Sequence, residues 1–248
     1  MLNLSQECEH SSDSEVPDRC RACPIRRDGF CRGLGAQDVA TLSRVAHHKK
    51  FRAGQTVMRY DERPMYWAAV SSGVLKSTKL LTDGRQQIVD LLFPADIVGR
   101  LFSTQSPYFV EAVTDLELCC IRTADFEAML QKRPNMKDQL FEQTLAKLDA
   151  AHDWLMVLGR KTAEERVASL LYVMVMRAPI AEACTNPRDR VPRFEISMKR
   201  EEMATFLGLT YETVIRQLKA LNDRGIIALI GRRRFQVPDL QALRAAAG

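Results

Sequence analysis

The sequence predicts an α+β protein in three parts: an N-terminal β domain of closed or double-sheet type, a long helix, and a C-terminal winged helix-turn-helix. Three observations carry this prediction. Between Phe51 and Cys120, short β-type runs are broken by Gly or Pro at fairly regular spacing. From Ala124 to Leu158 the apolar period changes to three and four. Between Met198 and Gly225 two helical patterns flank Gly208, and a short strand pair with three arginines follows.

The chain has 248 residues, enough for one large domain or two ordinary ones. Hydrophobic residues make up 46% and charged residues 27%, as in soluble globular proteins. The net charge of +5 permits acidic partners without requiring them. No stretch approaches the ~20 apolar residues of a membrane helix, and "MLNLSQECEHSSDSEVPD" holds no apolar signal core. A cytoplasmic protein with no membrane partner is therefore expected. Thiols stay reduced there, so closely spaced cysteines point to metal or redox chemistry rather than to disulfides.

Residues 1–19 are polar, acidic and aperiodic, the pattern of a flexible tail. Residues 20–34 form a cysteine loop, "CRACPIRRDGFC", with Cys20, Cys23 and Cys31 at C-x2-C-x7-C spacing. Arg19, Arg21, Arg26, Arg27 and Arg32 crowd it. They offset the negative charge of a thiolate site and are expected to lower the thiol pKa values. Composition leaves an iron–sulfur cluster, zinc and a reactive dithiol open. A dithiol oxidoreductase expects a βαβ context, which this pattern lacks. No paired catalytic carboxylates or phosphate-binding glycine loop appear, so no enzyme is expected. Cys8 and Cys184 read as unligated, and His47 and His48 as residues of a solvated face.

Residues 35–125 carry the β domain. A short helical pattern, "GAQDVATLSRVAHHKK", opens it with Val39, Leu42 and Val45 on one face. Asp83-Gly84 marks a hairpin between "VLKSTKLL" and "QQIVDLLF". Gly54, Gly73, Gly84 and Gly99 punctuate the run as turns. Residues 126–160 read as the long helix, with Pro134 breaking off a short first piece. Phe141, Leu145, Leu148, His152 and Leu155 form a seam of about two heptads. So short a seam does not stand alone in water. It must dock on its own domain, on a second copy, or on both. Asp149 and Asp153 flank it and would oppose their own copies across a two-fold axis, which suggests a balanced monomer–dimer equilibrium.

Residues 161–248 carry the reader. Thr162 and Glu165 form a capping box at the start of "TAEERVASLLYVMVMRA". Pro179, Pro187 and Pro192 mark an irregular connection. In "MKREEMATFLGLTYETVIRQLKALNDRG", Gly208 sits where a left-handed turn residue is needed and Thr210 is an N-cap. Met203, Ala204, Phe206 and Leu207 are expected to bury the first helix, and Val214, Leu218 and Leu221 the second. Glu212, Ile215, Arg216 and Lys219 are left outward, where a recognition helix meets base edges. Arg216 suits a guanine and Glu212 a cytosine amino group. Arg232, Arg233 and Arg234 fit a wing that touches phosphates. The expected partner is double-stranded DNA.

These motifs, in this order, resemble the CRP/FNR family of bacterial transcription regulators, over almost everything from residue 35 onward. "GLTYETVIRQLKAL" is similar to the family recognition helix, "AEERVASLLY" to the helix after the dimer helix, and "SGVLK…TDGRQQIVDLLFPADIVG" to the β-roll sensor domain. The cysteine loop resembles the FNR/FnrL-like oxygen-sensing branch. The resemblance implies a jelly-roll, cyclic-nucleotide-binding-like β-roll, a homodimer through the long helix, and palindromic TTGA-type operators. It also implies a 4Fe–4S cluster on Cys20, Cys23, Cys31 and a fourth cysteine from "LELCCIRTADF", with zinc as the alternative. The family pattern puts that ligand at Cys119, with Cys120 in the core. Activation implies contact with RNA polymerase, for which the 82–86 hairpin is a candidate by analogy. Cyclic-nucleotide-binding relatives carry a Gly-Glu segment where this chain has Arg100, so no cyclic nucleotide is expected. Members of the branch commonly carry Ser where this chain has Ile215, which donates no hydrogen bond and suits a thymine methyl.

Overall fold

A computed structural model describes residues 16–177, 193–195, 198–230 and 234–248. Cys8, Cys184, Arg232 and Arg233 lie outside the described residues, as do all but Arg193 of the Pro-rich connection and all but residues 16–19 of the expected tail.

Three short helices lead in: α1 (Asp18–Arg21), α2 (Pro24–Asp28) and α3 (Ala36–Val45). The flexible tail expected through residue 19 ends sooner, because Val16 is 3% exposed and packs in a core cluster with Ile25 and Phe30. In α3, Val39 and Leu42 are buried as expected. Val45, by contrast, is exposed, and Ser43 takes the buried position.

Eight strands follow: β1 (His47–Phe51), β2 (Thr56–Met58), β3 (Tyr66–Ser72), β4 (Leu75–Leu80), β5 (Gln86–Leu92), β6 (Ile97–Val98), β7 (Phe109–Ala112) and β8 (Leu116–Arg122). They build two four-stranded sheets, ordered β1-β8-β3-β6 and β2-β7-β4-β5, with antiparallel pairing throughout. The β region thus starts four residues before Phe51, because "HHKK" pairs with β8 rather than ending a helix. Between the sheets lie Ala68, Val70, Leu75, Leu92, Val110, Leu118 and Cys120. The outer face of the first sheet presents Trp67, Ala69 and Ile121 to a second cluster that holds Phe30, Leu34, Phe126 and Met136. Successive strand residues face opposite sides, so β8 serves both clusters.

The helical element expected over 126–160 is two helices, α4 (Thr123–Lys132) and α5 (Pro134–Arg160). Pro134 excludes the helical conformation from Arg133 and starts α5 at its first position. Phe126 of α4 stacks on Trp67 with centroids 4.0 Å apart, so α4 belongs to the β domain. The capping box then opens α6 (Ala163–Arg177): Thr162 N–H donates to Glu165 Oε2 at 2.7 Å, and Glu165 N–H to Thr162 Oγ1 at 3.3 Å.

The reader comprises β9 (Arg193–Glu195), α7 (Arg200–Leu207), α8 (Tyr211–Asp223), β10 (Ala228–Ile230), β11 (Arg234–Gln236) and α9 (Leu240–Ala247), with sheet order β10-β11-β9. Strand β9 was not readable from the Pro-rich sequence around it. Val167, Leu170, Met203, Phe206, Leu207, Val214, Leu218 and Leu243 form its core. No described helix is long and apolar enough to cross a membrane.

Candidate cysteine centre and DNA-reading face

Cys20 lies in α1, Cys23 precedes α2, Cys31 follows it, and Cys119 is on β8. All four line one pocket of about 40 Å³, among Ile25, Phe30, Leu42, Trp67, Ala69 and Ile121. Cys119 pairs in register with Ala69 on β3 and His48 on β1. Its neighbour Cys120 points between the sheets and is 2% exposed.

The loop is braced by Arg26, whose Nη1 donates to the carbonyls of Cys31 (2.6 Å), Leu34 (2.9 Å) and Arg32 (3.3 Å). Gly33 meets α5 so closely that a Cβ there would lie 2.3 Å from the Gln139 side chain. Phe30, Leu34, Met136 and Leu140 share one cluster, so the cysteine loop packs on the first turns of α5.

The electrostatics differ from the sequence expectation. Burial pushes the Cys31 and Cys119 thiols up to about 12, and neighbouring thiols push the same way. Cys20 is raised too, first by burial and then by Cys23. Arg26 and Arg19 offset only part of this. Arg19 and Arg26 line the pocket, whereas Arg21 pairs with Asp18 and Arg27 with Asp28. Desolvation of a thiolate outweighs partly solvated guanidinium groups. Among the described residues, no three His, Cys, Asp or Glu side chains are gathered into a ready metal-binding cluster.

His48 is exposed, as the sequence led one to expect, and it also borders this pocket, with Nδ1 2.8 Å from Glu117 Oε1. The cause is β1–β8 register, which no local pattern announces.

At the other end of the molecule, Gly208 takes φ +61° and turns α7 into α8. Thr210 Oγ1 accepts from Thr213 N–H at 3.2 Å and caps α8. Val214, Leu218 and Leu221 are buried, while Glu212, Ile215, Arg216 and Lys219 face outward. Arg216 Nη2 donates to Thr213 Oγ1 at 3.3 Å, which steadies the guanidinium along the helix. Two ties from α6 hold the pair: Arg166 Nη1 donates to the Leu207 carbonyl at 3.2 Å, and Glu164 pairs with Arg224 at the end of α8. Of the three wing arginines, only Arg234 is described, as the first residue of β11.

On α5 the seam does not dock on its own domain. Phe141 is 64% exposed, Leu145 44%, Leu148 50% and Leu155 66%, and His152 is exposed beside them.

A two-sheet β domain joined by a long helix to a winged helix-turn-helix defines a DNA-binding regulator with a second, β domain. Residues 48–133 match the cyclic nucleotide-binding domain model, and residues 165–246 the Crp-like helix-turn-helix domain model. The chain is 42% identical to the transcriptional activator protein FnrL of Cereibacter sphaeroides, covering 94% of this chain and 95% of that one. It is 31% identical to the nitrogen fixation regulation protein FixK of Bradyrhizobium diazoefficiens, covering 85% and 86%. The solved structure of FixK2 from Bradyrhizobium japonicum superimposes with a TM-score of 0.73 at 30% identity, over 82% of this chain and 98% of that one. The chain belongs to the CRP/FNR family of transcription regulators. It is a DNA-binding transcriptional activator of that type, and its relatives are regulators rather than enzymes.

Proposed function

We propose that this activator responds to oxygen through a 4Fe–4S cluster held by Cys20, Cys23, Cys31 and Cys119, and that the cluster sets dimerisation and operator binding. The observation that carries the reading is the shared pocket: four cysteines from two distant segments line one apolar cavity without a carboxylate. Soft sulfur donors in such surroundings suit an iron–sulfur cluster, and zinc is the alternative metal for the same donors. Bound there, the cluster supplies an oxygen-labile cross-link between the loop and β8.

The residues of the chain do the rest. Tied to Cys119, the 20–34 segment is held against Met136 and Gln139, within a turn of Phe141 at the start of the seam. Untied, it rests on the packing of Ile25, Phe30 and Leu34, the Gly33 contact with Gln139 and the bonds of Arg26. Asp149 and Asp153 are exposed beside the seam and oppose association of two copies, so a modest bias from the loop can tip the equilibrium. Two copies then present two recognition helices to a palindromic TTGA-type operator. Glu212 and Arg216 read a C·G pair, Ile215 meets a thymine methyl, Thr210 and Lys219 support them, and Arg232–Arg234 approach phosphates. The exposed 82–86 hairpin is a surface for RNA polymerase. Arg100 disfavours a cyclic nucleotide.

The test is purification without oxygen, followed by iron, acid-labile sulfide and zinc per chain. Iron matching sulfide, about four of each, is expected for this cluster type. Zinc without sulfide ends the iron–sulfur reading. The dimer fraction is then measured before and after exposure to air. An unchanged fraction removes dimerisation from the mechanism.

A further inference from the structure

The β domain and the reader share one core as well as a connecting helix. Val74, Ile88, Leu91 and Phe93 of the β domain lie in the same apolar cluster as Met203, Phe206 and Leu207 of the reader. Above this contact sits Lys76 on β4, its side chain only 12% exposed. Its Nζ lies 3.0 Å from Glu111 Oε1, its cross-strand partner on β7, and 2.5 Å from Glu202 Oε1 on α7. The other oxygen of Glu202 accepts the Lys199 N–H at 2.9 Å and caps α7. Gln87 Nε2 on β5 donates to the Phe206 carbonyl at 3.3 Å. One carboxylate therefore starts the first reader helix and anchors it to the sensor domain.

A lysine this enclosed, with two carboxylates, is costly to leave unpaired, so the pairing holds α7 to one orientation. The Gly208 turn and the shared core of Leu207, Val214 and Leu218 fix α8 relative to α7. Turning α7 therefore turns the outward face of α8.

We propose that Lys76, with Glu202 and Gln87, is a positioning residue for DNA reading: it locks α7 on the β4–β5 face, so the sensor domain orients the recognition helix within its own chain as well as through the dimer seam. The proposal rests on the assignment of α8 as the base-reading helix.

The test uses the full chain, Lys76→Met and Lys76→Arg, and TTGA-type palindromic duplexes whose half-site spacing differs by one base pair. Lys76→Met is expected to bind its preferred duplex about tenfold more weakly, within the usual range of coupling between sites. It should also discriminate less between spacings, and its α7 amides should exchange faster with solvent. Lys76→Arg keeps the charge and is expected to restore all three. The dimer fraction is expected to stay at the wild-type value. Wild-type spacing discrimination and α7 exchange in Lys76→Met overturn the proposal, and so does a parallel loss of dimer, which would route the effect through the seam. If the wild type itself ignores spacing, the base-reading assignment falls together with this proposal. That outcome is distinct from a discriminating wild type matched by its variant.

Discussion

Adjacent cysteines on β8 have opposite surroundings because strand neighbours face opposite sides. Cys119 looks out toward the cysteine loop, and Cys120 looks in between the sheets. Cys119→Ser is expected to abolish iron and sulfide incorporation. Cys120→Ser is expected to retain both while losing about 1–3 kcal/mol of stability, because the more polar hydroxyl is buried between the sheets with only the distant Leu118 carbonyl to bond. Iron assay and thermal melting of the two variants check this, and equal iron loss in both would remove the distinction. On α8, Arg216 is exposed and free to approach a base edge with a planar, two-pronged donor. Arg216→Lys keeps charge but loses the fork. Binding to the guanine-containing half-site should weaken by about 1–3 kcal/mol, with little change on a duplex already altered at that pair. A uniform loss on both duplexes would make Arg216 a phosphate contact instead.

Helix α5 divides its work along its length. Its first turns are core: Met136 is fully buried with Phe30 and Phe126. Met136→Ala is expected to cost about 2–5 kcal/mol, since it opens a cavity where the loop, α4 and α5 meet. The middle of α5 is an open seam, and removing an exposed leucine there costs the monomer little. Leu148→Lys should leave the monomer within about 0.5 kcal/mol of wild type. It should abolish the dimer in sedimentation, and with it high-affinity binding to a palindrome. A dimer that survives this change would place the interface elsewhere. One continuous helix thus carries both the cysteine-loop contact at its start and the open seam in its middle.

In the whole molecule, the cysteine pocket and the reading face lie in different clusters, joined by α5 and by the Lys76 contact. The ionic part of that contact has a defined pH dependence. Burial works to lower the Lys76 pKa, but the bonds to Glu202 and Glu111 outweigh it, so the folded value stands above the ordinary 10.5. A raised lysine pKa contributes stability in full below the unfolded value, and this contribution is lost as pH climbs through the folded one. The difference in melting temperature between wild type and Lys76→Met should therefore hold from neutral pH to about 10.5 and shrink above it. A difference that fades near neutral pH would show that the pair is not intact in the folded protein.

The sequence by itself determined what is local. The C-x2-C-x7-C run, the Thr162–Glu165 capping box, the Asp83-Gly84 hairpin, the Gly208 turn and the Thr210 cap each lie within a few residues, and each depends on backbone geometry that neighbours impose. The apolar period of α8 likewise separated Val214, Leu218 and Leu221 from Glu212, Ile215, Arg216 and Lys219. The tertiary structure decided what depends on register and closure. Strand alternation set Cys119 and Cys120 on opposite faces, but only the packing of β8 between β1 and β3 decided which face meets the loop. The same register brought His48 to the pocket. Val16 became core, Gln139 met Gly33, and Lys76 met Glu202 across 126 residues of chain. Burial, more than the nearby arginines, then raised the Cys31 and Cys119 thiols, because desolvation depends on everything that surrounds a sulfur and charge spacing along the chain does not reveal it.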